Sequence, residues 1–215
     1  MRYFKHFVTN LFAQPEFIFG DRNRTVCIVG NGPSVLKKQN GGKIDGHDFV
    51  VRFNDFVTKK YEKSVGEKTD LWVTGLGVQS NRKIFSNLKY NTLVFSDKYN
   101  EKRLVKKKIR KKLVLKDKNY DKVFFAFQRR LLEKLMGKYS FYEVPTTGMI
   151  MILIACLYFN KRVTVTGFDS LTQKKTSGMF PHYFGKKTKH LKDHNFSHER
   201  SIFRHLVKLK KVKVI

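Results

Sequence analysis

Residues 24–72 read RTVCIVGNGPSVLKKQNGGKIDGHDFVVRFNDFVTKKYEKSVGEKTDLW, and this stretch decides how the rest of the chain is read. It opens on a short apolar run, Val26-Cys27-Ile28-Val29, bounded by charge on one side and glycine on the other. Such a run is too short for a helix and predicts a buried strand. It breaks into Gly30-Asn31-Gly32-Pro33-Ser34. Two glycines permit a tight turn and close backbone approach, proline sets φ, and serine can cap the next helical turn. A strand running into such a turn can aim backbone N–H groups at an anion. A second apolar run, Phe49-Val50-Val51-Arg52-Phe53, ends at Asn54, whose amide both donates and accepts.

The glycine turn alone does not separate an anion cradle from a plain connection. The dinucleotide fingerprint requires a third glycine, and Val35 stands at that position. The longer pattern is more specific. Gly30-Asn31-Gly32 is followed by Ile44-Asp45-Gly46-His47-Asp48-Phe49-Val50-Val51-Arg52-Phe53-Asn54 and then by Val65-Gly66-Glu67-Lys68-Thr69. In this order the three blocks resemble the long donor-binding motif of the eukaryotic-type sialyltransferases, glycosyltransferase family 29.

Composition sets the frame. A chain of 215 residues, 41% hydrophobic and 14% aromatic, suits one globular domain with one core. Its net charge of +28 draws anions, whether a phosphate-bearing substrate, an acidic lipid surface or nucleic acid. No apolar segment reaches the roughly 18 residues of a membrane span. The opening MRYFKHFVTNLFAQPEF lacks the long apolar core and small-residue cleavage site of a signal peptide. With only Cys27 and Cys156, a disulfide framework is not expected and a reducing, cytoplasmic setting fits. There is no Cys/His cluster of zinc spacing and no Asp-x-Asp pair to hold a cation on a nucleotide.

Along the chain, Phe4, Phe7, Val8, Leu11 and Phe12 recur at helical spacing, and Pro15 ends the pattern. Residues 1–20 are therefore expected to form an amphipathic helix, packed on the domain or lying on anionic lipid, ahead of a catalytic domain over 21–215. Strands are expected at residues 92–96 and 123–127. A basic segment at 102–113 places Val105, Ile109 and Leu113 on one helical face, either a solvated face or an anionic-surface contact, and a helical pattern runs from Leu131 to Met136. Pro145-Thr146-Thr147-Gly148-Met149 opens a long apolar helix to Phe159, and its start favours a carboxylate or phosphate. Val163-Thr164-Val165-Thr166-Gly167-Phe168-Asp169 comes next as strand and turn. Alternating strands and helices predict an α/β fold.

That second block is similar to the short motif of the same family, with Thr146 where serine is usual. Each of the two family motifs carries a cysteine, and the paired positions here are Val26 and Asn160. Cys27 and Cys156 are displaced from them, so the resemblance implies that the family bridge is missing. Pro181-His182-Tyr183-Phe184 resembles the third motif, with Gly185 in place of an acidic residue. His194-Asn195-Phe196-Ser197-His198-Glu199 fits the very short motif, a histidine followed by four residues and a glutamate. His194 then precedes a helix through Ile202, Phe203, Leu206 and Leu209, with Glu199 in its first turn, and a last strand closes the chain.

The resemblance implies a single Rossmann-like domain with a mostly parallel central sheet flanked by helices, a GT-A-like variant. It implies transfer from CMP-sialic acid to a glycan or lipid-linked glycan hydroxyl, with inversion, without metal and with no cofactor beyond the donor. His194 would be the general base, with His190 and His198 as rivals, and His182 or Tyr183 would stabilise the leaving phosphate. Gly30, Asn31, Gly32, Pro33, Ser34, Asn54, Thr146, Thr147, Gly148 and Tyr183 are the expected donor contacts, with Arg52 and Glu199 in support. A free imidazole, with a pKa about 6.5, is the side chain suited to taking a hydroxyl proton near neutrality. Alternatives are a transferase of another CMP-activated keto sugar such as Kdo, and a basic protein that binds nucleic acid or a membrane surface. No nucleic-acid motif accompanies the charge.

Overall fold

The computed structural model describes residues 6–8, 16–75, 90–96, 120–127, 145–172, 179–185, 187–189 and 194–215. Eight strands form one sheet: β1 (His6–Val8), β2 (Val26–Val29), β3 (Phe49–Phe53), β4 (Leu71–Gly75), β5 (Tyr90–Ser96), β6 (Tyr120–Phe127), β7 (Val163–Thr166) and β10 (Val212–Val214). Their order is β1-β6-β5-β4-β3-β2-β7-β10, and every pairing is parallel. Strands β8 (Met179–Pro181) and β9 (Lys187–Lys189) form a separate antiparallel hairpin. The helices are α1 (Glu16–Phe19), α2 (Gly41–Asp45), α3 (Glu62–Val65), α4 (Thr147–Tyr158), α5 (Asp169–Thr172) and α6 (Phe196–Lys208).

Strands β2, β3 and β7 are buried at every residue, which is why they read as largely apolar or Thr/Val runs, broken only by the buried Arg52, rather than alternating ones. Their side chains still divide by parity. Val26, Ile28, Phe49, Val51 and Phe53 join a core with α4 and with Ile202, Phe203 and Leu206 of α6. Cys27, Val29 and Val50 point to the other face and pack on Ile44 of α2. Helix α4 is apolar on nearly all sides because it lies inside this core, with Leu157 as its exposed exception.

The chain steps outward from β2 through β3, β4, β5 and β6, then returns to the other side of β2 with β7. In open parallel sheets, the crevice at such a reversal, at the carboxyl ends of the strands, is where ligands bind. The expected α/β architecture with a parallel sheet is the one observed.

The helix expected over residues 1–20 is corrected by the structure. His6–Val8 is a strand, paired in parallel with residues 123–125 of β6, and only Glu16–Phe19 is helical in the described part. The edge of β6 offers backbone partners that no sequence periodicity reveals, and aromatic and β-branched residues suit a strand as well as a helix. The basic segment 102–113, the pattern at 131–136 and His190 lie outside the described residues.

Candidate active site at the carboxyl edge of the sheet

The turns after β2 and β7 meet at the topological reversal. Gly30 N donates to Thr166 O and Gly32 N to Gly167 O, both at 2.8 Å. A Cβ on Gly30 would stand 2.3 Å from Gly167 O, and one on Gly167, whose φ is +70°, would stand 2.5 Å from Gly30 O. These glycines are needed for backbone-to-backbone contact between two loops. Pro33 starts a 3-10 turn, and Ser34 N donates to Asp169 Oδ2 at 3.0 Å. The N–H groups of Gly30, Gly32 and Ser34 are thus taken up inside the protein, in a loop-to-loop clamp.

Asn31 ties three segments together. Its Nδ2 donates to Phe53 O at 3.1 Å and Asp55 O at 2.9 Å, and its carbonyl accepts from Tyr183 N at 2.9 Å. Asn54, at the end of β3, adopts a left-handed backbone with φ 46°. It is fixed through Val73 O, Trp72 Nε1 and Thr74 Oγ1. Its half-buried Nδ2 has no hydrogen-bond partner among the described residues. That leaves a donor held at the crevice by a rigid backbone.

The other polar residues of the long stretch bind one another. Asp45 Oδ1 accepts from Glu67 N and Lys68 N, both at 3.0 Å, and Asp48 Oδ2 accepts from Thr25 N and Oγ1, both at 2.7 Å. His47 bridges Lys43 O and Thr164 Oγ1. Lys68 Nζ donates to His47 O at 2.6 Å. Arg52 is 1% exposed; its Nε donates to Lys68 O and Thr69 Oγ1, its Nη2 to Val65 O, and the guanidinium lies over the Phe56 ring. Burial pulls its pKa down. Among the described residues no carboxylate pairs with it, and Nη1 has no partner. Arg52 thereby tethers residues 65–69 to β3.

Thr146 caps α4, its hydroxyl accepting from Met149 N at 3.2 Å. Glu199, 1% exposed in the first turn of α6, accepts from Thr146 N at 2.6 Å through Oε1 and from Thr146 Oγ1 at 2.8 Å through Oε2. A carboxylate of the protein itself thus stands at the start of α4. Burial raises the Glu199 pKa above its ordinary value, against the opposing pull of these hydrogen bonds. Asn195 caps α6 through His198 N, and half-buried His194 stands just ahead, its ring edge-on to Phe196. Thr147 and Gly148 open the first turn of α4. Gly148 is required because a Cβ there would come 2.6 Å from the Phe168 ring.

His182 and Tyr183 occupy the loop of the β8–β9 hairpin. The Tyr183 hydroxyl donates to Val57 O at 2.5 Å and accepts from Val57 N at 3.0 Å. Its ring is buried against Tyr61 and Phe184, and burial raises its pKa. The Tyr183 hydroxyl anchors the hairpin to Val57. Half-buried His182 packs on Phe184.

Sequence reading missed Asp169 as a site residue. It is 5% exposed at the start of α5, just beyond the turn after β7, holds Ser34 N through Oδ2, and leaves Oδ1 without a partner among the described residues. Its only linear signal was an acid directly after a strand-ending glycine turn. An open depression of about 470 Å³ lined by Asp21, Arg24, Asp48, Lys68 and Asp70 lies at the amino ends of β2, β3 and β4, away from these groups.

A parallel α/β sheet whose reversal gathers glycine turns and a capped helix start places a ligand crevice at the carboxyl ends of its strands. The chain belongs to glycosyltransferase family 29 (sialyltransferase), whose model matches residues 2–211. It is 27% identical over 220 residues to the mouse alpha-N-acetylgalactosaminide alpha-2,6-sialyltransferase 2, covering 84% of this chain and 57% of that protein. It therefore spans little more than half the length of that relative. A beta-1,6-galactosyltransferase of Arabidopsis thaliana is 39% identical over 54 residues, 25% of this chain and 14% of its own. The crystal structure of a mammalian sialyltransferase superposes with a TM-score of 0.67 at 19% identity, over 90% of this chain and 69% of that one, and shares the fold.

Proposed function

We propose that this chain transfers a sialyl group from CMP-sialic acid to a glycan hydroxyl in one inverting displacement. The acceptor oxygen attacks the anomeric carbon as the carbon–phosphate-oxygen bond breaks, and the acceptor proton passes to an imidazole nitrogen of His194. CMP leaves with the bonding pair, and His182 stabilises the charge developing on its phosphate. Asn54 Nδ2 and the Thr147-Gly148 turn contact the donor. The observation that carries this reading is the Glu199–Thr146 contact, which seats the segment bearing His194 on the turn that opens α4.

No metal is assigned to the step, since the chain has no Asp-x-Asp pair. Among the described residues no helix is long and apolar enough to cross a membrane. A reducing, cytoplasmic setting is part of the proposal, supported by two buried thiols on separate faces of the sheet.

The test is transfer from labelled CMP-sialic acid to mixed acceptor glycans, in excess chelator, by wild type and by His182, His194 and His198 to alanine. His194→Ala should lower turnover by roughly 10²–10⁴ with CMP binding spared, the span of general-base catalysis. A strict requirement for magnesium or manganese would remove the metal-free mechanism. Near wild-type turnover by the His194 variant would move the base to another histidine. The Arabidopsis relative, named for galactosyl transfer, is a reason to include UDP-galactose and CMP-Kdo as donors.

A further inference from the structure

We infer that the face formed by the end of α6 and by β10 docks on an anionic lipid surface. The inference is independent of the catalytic reading. Arg204, Lys208, Lys210 and Lys211 are all exposed, and residues 200–215 contain no aspartate or glutamate. Among these cations stand aliphatic side chains that the core does not take up: Leu209 is 55% exposed, Val214 46% and Val207 38%. The inner face of α6 is already satisfied by burying Ile202, Phe203 and Leu206, so these three are surplus to folding. The surface is well defined. Lys210 closes the helix in a left-handed conformation, φ 57°, and Arg162 Nε clamps Lys210 O at 2.8 Å.

Cations around protruding aliphatics match a lipid headgroup layer, where the ammonium groups meet phosphate and the apolar groups enter the acyl boundary. Lysine on the edge strand β10 also discourages edge-to-edge pairing, which accounts for Lys213 but not for an exposed Leu209. Single-stranded nucleic acid wants aromatic stacking platforms, and the only aromatic ring in 200–215 besides the histidine, Phe203, is 3% exposed.

The experiment is co-sedimentation of the full chain with vesicles of phosphatidylcholine alone and with about one-third phosphatidylglycerol. Wild type should bind the anionic vesicles only. Lys208→Ala/Lys210→Asn/Lys211→Ala, in which asparagine keeps the left-handed position, should bind about 100-fold more weakly, at roughly fivefold per basic residue. An equal loss of charge at the exposed Lys37→Ala/Lys38→Ala/Lys63→Ala, outside residues 200–215, should cost less than about tenfold. Leu209→Ser should bind vesicles several-fold more weakly and leave binding to single-stranded RNA unchanged. Absence of vesicle binding by wild type would overturn the inference. So would equal losses in the two triple variants, or a Leu209→Ser variant that holds vesicles as wild type does. Thermal melts of each variant, expected to match wild type, separate lost docking from lost folding.

Discussion

Glu199 is a carboxylate whose burial outweighs its hydrogen bonds. Its folded pKa lies above the ordinary 4.5, so the native state holds the proton more tightly than the unfolded chain. Its contribution is complete below that ordinary value and is lost as pH rises through the folded one. Glu199→Gln cannot titrate there. The stability of wild type minus that of the variant should be largest near about pH 4 and shrink toward about pH 7. Urea midpoints at the two pH values check this; a difference that grew with pH would mean the ionised form is the favoured one. Asn54 invites a second test. Its left-handed backbone makes Asn54→Ala suffer strain as well as losing the amide, whereas Asn54→Gly keeps the conformation. The glycine variant should retain its melting temperature and bind CMP more weakly, by calorimetry. Unchanged affinity would remove Asn54 from the donor contacts.

The turns after β2 and β7 act as one unit. Gly30→Ala places a methyl 2.3 Å from Gly167 O, a backbone atom that cannot swing aside. A destabilisation of roughly 1–3 kcal/mol is expected, the cost of overpacking a fitted contact. Denaturant titration measures it, and a neutral result would show that the two loops separate easily. Thr146→Ser should be nearly silent in the same assay, because its hydroxyl can still accept from Met149 N and donate to Glu199. Thr146→Val, which keeps the shape without the hydroxyl, should cost about 1–3 kcal/mol by stranding one Glu199 oxygen in a buried place.

Across the molecule, the sheet divides the two cysteines. Cys27 packs with Val29, Val50 and Ile44 on one face, and Cys156 belongs to α4 in the core on the other. Both are free, and burial pushes both thiols up to about 12. Reductant should leave the melting temperature unchanged, and a thiol-alkylating reagent should label neither cysteine until the protein is denatured. Fast labelling of native protein would place one of these thiols at the surface.

The strands at β2, β3 and β7, the helix α4 and the amphipathic start of α6 were legible in the linear order of residues. Their signals are local: largely apolar runs for strands buried on both faces, and capping residues ahead of helices. The family resemblance was legible for the same reason, since its motifs are short ordered blocks. The strand at His6–Val8 was not, because its partner β6 lies more than a hundred residues away and periodicity cannot see an open sheet edge. Nor was the division of labour inside the motifs. Asn31, Arg52, Tyr183 and Glu199 are polar residues in the right places for ligand contact, and in sequence nothing distinguishes them from Asn54. Folding commits the first four largely to the protein's own backbone and leaves Asn54 Nδ2 without a described partner. A buried polar group must find a partner, and which group is satisfied internally depends on the loops that the tertiary structure brings beside it.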